Sequence, residues 1–156
     1  MSRIEHFEED LAPRANRVVP AASAVVVDDT DRILLIKRTD NGLWTIPGGA
    51  MEPGESIADC CRREVLEESG VVVEITRLIG IYSNPRHVIE YADGEVRQQF
   101  SVCFACRPGA GELSTSDESS EVGYFTLAEL ATMEIHPSIR LRITHFGESR
   151  PDPVIA

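Results

Sequence analysis

The chain predicts an α+β fold built on a mixed β-sheet. Three observations lead there: short apolar runs punctuated by Asp, Asn and Gly turns, one strongly capped central helix over residues 56–69, and two brief helical segments near the C-terminal end. A length of 156 residues suits a single domain with one substantial core.

The elements follow in order. Residues 4–11 suggest a short amphipathic helix, followed by Pro13 and a basic patch at Arg14 and Arg17. Residues 21–27 read as a strand, Asp28-Asp29-Thr30-Asp31 as a turn, and residues 33–38 as a second strand, together a hairpin. Asn41-Gly42 turns the chain into a short strand at Trp44, which Pro47-Gly48-Gly49 breaks abruptly. Glu52-Pro53-Gly54-Glu55 is a turn, and Ser56 with Asp59 makes a capping box that opens the central helix. Gly70 is a good residue for ending it. Residues 71–82 are β-rich, Ala92-Asp93-Gly94-Glu95 is a hairpin turn, and residues 96–106 form a strand ended by Pro108 and Gly109. Residues 114–120 are a polar loop and 122–125 a short strand. Thr126 and Glu129 cap a brief helix, and Pro137 begins a last helix running to about Phe146. The two prolines of residues 150–156 suggest a frayed tail. The expected organisation is an N-terminal extension (1–18), one domain (19–147) and a C-terminal tail (148–156).

The central helix carries the chemistry. Glu64, Glu67 and Glu68 stand at i, i+3 and i+4, so at about 100° per residue they share roughly a quarter of the circumference. Three like charges so close weaken an isolated helix; taken alone they read first as a solvated acidic face, while a divalent cation would reverse the penalty, and hard oxygen ligands suit Mg²⁺ or Mn²⁺. Ile57, Cys61 and Val65 form an apolar stripe bordering the acids, so the acids rim a buried seam. Arg63 lies one turn before Glu67, and Glu55 can reach Arg63 from the loop.

From Gly49 through Glu55, Arg63-Glu64, Val65, Glu67-Glu68 and Gly70-Val71, the chain matches the signature Gx5Ex7REUxEExGU, with U aliphatic. It thereby resembles the Nudix hydrolase family, and the flanking strands extend the likeness over about residues 20–144. The resemblance implies a Nudix-like α/β/α sandwich with a mixed β-sheet. It also implies a Mg²⁺-dependent hydrolase in which water attacks phosphorus and splits the pyrophosphate bond of a nucleoside diphosphate linked to another moiety. Nucleoside triphosphates, ADP-ribose and nucleotide sugars all belong to that class. The implied metal ligands are Glu64, Glu67, Glu68 and the carbonyl of Gly48, with Arg63 and Glu55 as supports. The general base is Glu64 or an acid of a late loop, Glu118 or Glu121; the spacing of Glu121 before Tyr124-Phe125 favours it as base or extra ligand. Substrate contacts are expected from Arg38, from Tyr82, Arg86 and His87 in a polar loop, and from His136. An alternative from another class is a non-catalytic Nudix-like domain that senses a nucleotide; the complete set of box carboxylates disfavours it.

Composition narrows the partners. A formal charge of −11 argues against a nucleic-acid surface, which needs excess Lys and Arg. A small anionic substrate stays compatible, because a bound metal inverts the local field. No apolar run is long enough for a membrane span, and no signal peptide is evident, so the expected location is the cytoplasm. Many members of the family dimerise, which makes a homodimer a compatible state. Four cysteines fit a reducing compartment. Cys103 and Cys106 have zinc-like spacing, but in an alternating strand they point to opposite faces and cannot chelate one ion.

Overall fold

A computed structural model describes residues 3–156, so the first two residues of the expected extension lie outside it. In chain order the elements are β1 (Arg3–Phe7), β2 (Arg17–Val26), β3 (Ile33–Arg38), β4 (Trp44–Thr45), β5 (Gly48–Ala50), α1 (Ile57–Ser69), β6 (Val73–Tyr82), β7 (His87–Tyr91), β8 (Val96–Pro108), β9 (Ser119–Phe125), α2 (Leu127–Leu130), α3 (Pro137–Gly147) and β10 (Val154–Ile155).

A seven-stranded mixed sheet runs β1-β7-β8-β2-β5, with β6 also on β8 and β10 on β6. Its spine is the parallel pair β2 and β8, in register from Arg17 opposite Arg97 to Val26 opposite Cys106. Both faces of that pair are covered, which is why residues 21–26 are a continuous buried run. Alternation then divides the core in two. Ala22, Ala24 and Val26 pack with Cys61 and Val65 of α1, while Val25, Cys103 and Ala105 pack with Ile143 of α3. This is the α/β/α sandwich. A smaller sheet, β4-β3-β9, lies beside it. Cys103 and Cys106 fall in different cores, as strand alternation requires, and all four cysteines are free and buried. No described helix is long and apolar enough to cross a membrane.

Three local expectations are corrected. The N-terminal helix is instead strand β1, antiparallel to β7 from Arg3 opposite Tyr91 to Phe7 opposite His87. A helix this short has little stability of its own, and an open sheet edge supplies the backbone partners it lacks. Strands β2 and β3 are not a paired hairpin: a single bridge, Val27 with Ile33, joins their ends before they part into different sheets. Asp28 Oδ1 accepts from the backbone N–H groups of Thr30 and Arg32, both at 2.9 Å, and this closed loop redirects the chain. The tail is ordered, because Val154 and Ile155 pair in parallel with Gly80 and Ile81. Gly80 makes that possible: a β-carbon there would stand 2.7 Å from the Val154 carbonyl oxygen.

Candidate active site

Helix α1 begins as its sequence predicts. The Asp59 N–H donates to Ser56 Oγ at 3.1 Å and the Ser56 N–H to Asp59 Oδ2 at 3.2 Å. It ends at Gly70, whose φ of 80° is left-handed. Cys60, Cys61 and Val65 anchor one face, so the positions of the glutamates are fixed by packing.

Arg63 is the hub of this region. Its Nε and Nη2 grip both oxygens of Glu55 at 2.9 and 2.7 Å. Nη2 also donates to the Ala50 carbonyl at 3.0 Å, and Nη1 to Glu64 at 2.8 Å and Glu67 at 3.3 Å. One side chain thus ties β5, the turn and the helix together. The bidentate Arg63 guanidinium, helped by the Glu52 N–H, holds the Glu55 carboxyl down at about 2.

Glu64 and Glu68 press against the glycines of β5. A β-carbon on Gly49 would lie 2.5 Å from the Glu64 carboxylate, so only glycine leaves that acid its place. The Gly48 N–H donates to Glu68 Oε1 at 2.9 Å. Glu68 is 5% exposed, and burial pushes its carboxyl up to about 8; the Gly48 bond opposes that rise, and the charges of Glu64 and Glu118 add to it. Burial likewise raises Glu64, partly offset by Arg63. Glu67 points outward, with its side chain 59% exposed. Among the described residues no three acids, imidazoles or thiols stand as a finished metal cage. Arg63 takes part of the oxygen capacity of Glu64 and Glu67. The donor chemistry nevertheless fits a hard divalent cation: Glu64 and Glu68 offer carboxylate oxygens that burial and mutual repulsion disfavour as bare charges.

A cleft of about 440 Å³ opens from this end, with Gly48, Gly49, Ala50 and Glu68 at its mouth. Arg38, Trp44 and Glu118 belong to its lining. Arg38 reaches it clamped to Asp40, at 2.8 and 2.6 Å. His87 and His136 also line it, their rings stacked at 6.1 Å and 11°. From β1, Glu5 bonds His87 Nε2 at 2.6 Å and lies 3.6 Å from His136 Nδ1. Burial opposes ionisation of Glu5, but the His87 bond and the charges of His136, His87 and Arg3 outweigh it and hold the carboxyl at about 2. Burial depresses the basicity of His136.

Three expected residues lie elsewhere. Tyr82 is buried behind the cleft floor, bonded through its hydroxyl to His145 Nδ1 at 2.8 Å. Arg86 pairs with Glu8 and Asp10 on the surface. Glu121 is 57% exposed beside Lys37, outside the cleft lining, whereas Glu118 is part of that lining. Sequence reasoning missed Arg3 and Glu5, because a helix was expected there. It also missed Arg142, although a signal existed: Ile139, Arg142, Ile143 and Phe146 occupy i, i+3, i+4 and i+7, which puts an arginine inside an apolar stripe.

Comparison with known proteins bears on the whole arrangement. Residues 17–145 match the family model described as the NUDIX domain. The chain belongs to the NUDIX family. As a NUDIX hydrolase it is 36% identical over 124 residues to a MutT-like protein of Streptomyces ambofaciens, covering 80% of this chain and 73% of that one. It is 33% identical over 109 residues to an ADP-ribose pyrophosphatase of Methanocaldococcus jannaschii, covering 67% of this chain and 60% of the relative. Among solved structures, a NUDIX hydrolase from Nitrosomonas europaea superposes with a TM-score of 0.69 at 25% identity, covering 88% of this chain and 94% of that chain.

Proposed function

We propose that the chain hydrolyses the pyrophosphate bond of a nucleoside diphosphate linked to another moiety, with Mg²⁺ or Mn²⁺ as its cofactor. One observation carries this reading: Glu64 and Glu68 are packed against the Gly49 and Gly48 backbone beside a cleft that Gly48, Gly49 and Glu68 line, and burial raises both carboxyls. Glu64, Glu67 and Glu68 would hold the metal together with the Gly48 carbonyl. Once bound, it supplies neutralisation of the phosphate charge and acidification of water. The protein's own groups do the rest. Arg63, backed by Glu55, fixes the direction of Glu64 and Glu67, which is what an orienting partner of a ligand does. Glu118, in the cleft wall, is assigned as acceptor of the proton from the attacking water, in place of Glu121. The remaining cleft holds the nucleotide moiety. Names among the relatives, MutT-like protein and ADP-ribose pyrophosphatase, support a nucleotide-type substrate without choosing one.

The test is a panel of dNTPs, ADP-ribose, nucleotide sugars and dinucleoside polyphosphates, assayed with and without Mg²⁺ for cleavage at the pyrophosphate. Metal-dependent cleavage of at least one compound is the expected result. Tight binding of a nucleotide with no turnover across the panel would favour the sensing alternative.

A further inference from the structure

Arg142 rises from α3 into the floor of the cleft and is 3% exposed. It forms no ion pair among the described residues. Its one hydrogen bond is long, from Nη1 to Ser23 Oγ at 3.4 Å, and its Nε is buried with no partner. The Tyr82 ring faces the guanidinium at 5.0 Å. Among the described residues only one other buried side-chain nitrogen or oxygen lacks a hydrogen-bond partner, Nε of Arg3, which lines the same cleft but stands 3.5 Å from Asp40 Oδ2. Buried donors are nearly always satisfied, and a buried guanidinium left short of partners is costly. A ligand entering the cleft would supply the missing acceptors.

The surroundings define that ligand's chemistry. Beside Arg142 the floor carries the hydroxyls of Ser23, Ser101 and Ser138; the lining as a whole sets Glu5, Asp40, Glu68, Asp117 and Glu118 against Arg3, Arg38 and Arg97, and Glu5 is the carboxylate whose charge reaches Arg142. With the Glu5 charge already acting on Arg142, a neutral acceptor fits this floor better than a second anion. Trp44, Ile89 and Ile139 add apolar lining suited to a flat ring. Guanidinium donors pair with the adjacent O6 and N7 acceptors of a 6-oxo purine, but a 6-amino purine presents an N–H₂ donor where an acceptor is needed.

We propose that Arg142 is a specificity-determining residue that donates to the acceptor edge of a 6-oxo purine base and disfavours a 6-amino one. This rests on the reading above, that the cleft takes a nucleotide whose pyrophosphate lies at the Glu68 end.

The experiment compares inosine with adenosine nucleotides, which differ at this edge. Affinities for IMP and AMP are measured by calorimetry, which needs no turnover, and kcat/KM for ITP and ATP in parallel. The wild type is expected to favour the 6-oxo member about ten- to hundred-fold. Arg142→Met, close in length and uncharged, should bring the ratio near one, and Arg142→Lys should retain part of it. A wild-type ratio of one or less overturns the assignment, as does a ratio that survives in folded Arg142→Met. If circular dichroism shows Arg142→Met unfolded, the Arg142→Lys ratio decides: unchanged from wild type, it overturns the assignment. An IMP preference without hydrolysis of any nucleotide overturns the proposed reaction alone, and hydrolysis without preference overturns the Arg142 role alone.

Discussion

The backbone N–H of Gly48 donates to Oε1 of Glu68, so a strand edge and a buried helix carboxylate are joined at 2.9 Å. That bond sets an orientation without neutralising a charge. The folded protein therefore retains an acid that ionises only at about 8, against an ordinary 4.5. Between those values the native state binds more protons than the unfolded chain, so this group's contribution to stability falls as pH rises through the window. Denaturant titrations of metal-free protein at pH 5, 7 and 9 should show that decline in the wild type and less of it in Glu68→Gln, whose amide oxygen still accepts from Gly48. Mg²⁺ should restore the wild type at pH 9, and turnover by Glu68→Gln should drop at least a hundredfold. Equal pH dependence of the two proteins would contradict this account.

Arg63 donates to Glu55, Glu64, Glu67 and the Ala50 carbonyl, and its grip on Glu55 is bidentate. Lysine has the charge but not the fork. Arg63→Lys should leave the protein folded and lower activity or metal affinity about 10- to 100-fold. The metal dependence of the rate is the measurement: a half-saturating Mg²⁺ concentration unchanged from wild type, with full kcat, would remove Arg63 from its positioning role.

Glu118 and Glu121 offer a direct contrast. Glu118→Gln should reduce kcat by about 10² or more if it accepts the proton. Glu121→Gln, on the solvent side beside Lys37, should stay within about twofold, as surface substitutions do. Reversed results in steady-state kinetics would return the role to Glu121.

The two adjacent glycines should fail in different ways. A β-carbon on Gly48 meets the Ala22 carbonyl oxygen at 2.5 Å, and backbone yields poorly, so Gly48→Ala should lose about 1–3 kcal/mol of stability. On Gly49 the β-carbon meets the end of the Glu64 side chain, which can swing away. Gly49→Ala should therefore melt close to wild type yet lose most of its activity. Thermal melts set beside rates separate the two.

The helix with its caps and its carboxylates was legible because all its determinants are local: Ser56, Asp59, Gly70 and the spacing of Glu64, Glu67 and Glu68 lie within one short segment. The α/β/α layering followed once that segment was recognised. Non-local facts were harder to read. Strand β1 exists because the edge of β7 is open to it, and nothing within residues 3–7 announces that edge. Sheet partners for β2 and β3 depend on β8 and β9, far along the chain. Consequently Glu5 and Arg3 in the cleft were invisible to spacing, while Arg86, a plausible loop contact, turned out to face Glu8 and Asp10.

The alternation of β2 puts Ala22, Ala24 and Val26 against α1, and Ser23 and Val25 toward α3. The sheet is thereby a partition between two workshops. One side secures the helix that bears Glu64, Glu67 and Glu68; the other shapes the cleft floor around Arg142. Substitutions on opposite sides share few neighbours and should combine additively. On the proposed reading, a lineage, or an engineer, could retune what the protein accepts by altering Ser101 or Arg142, whereas Ser23 pairs with Gly48 and would disturb both halves.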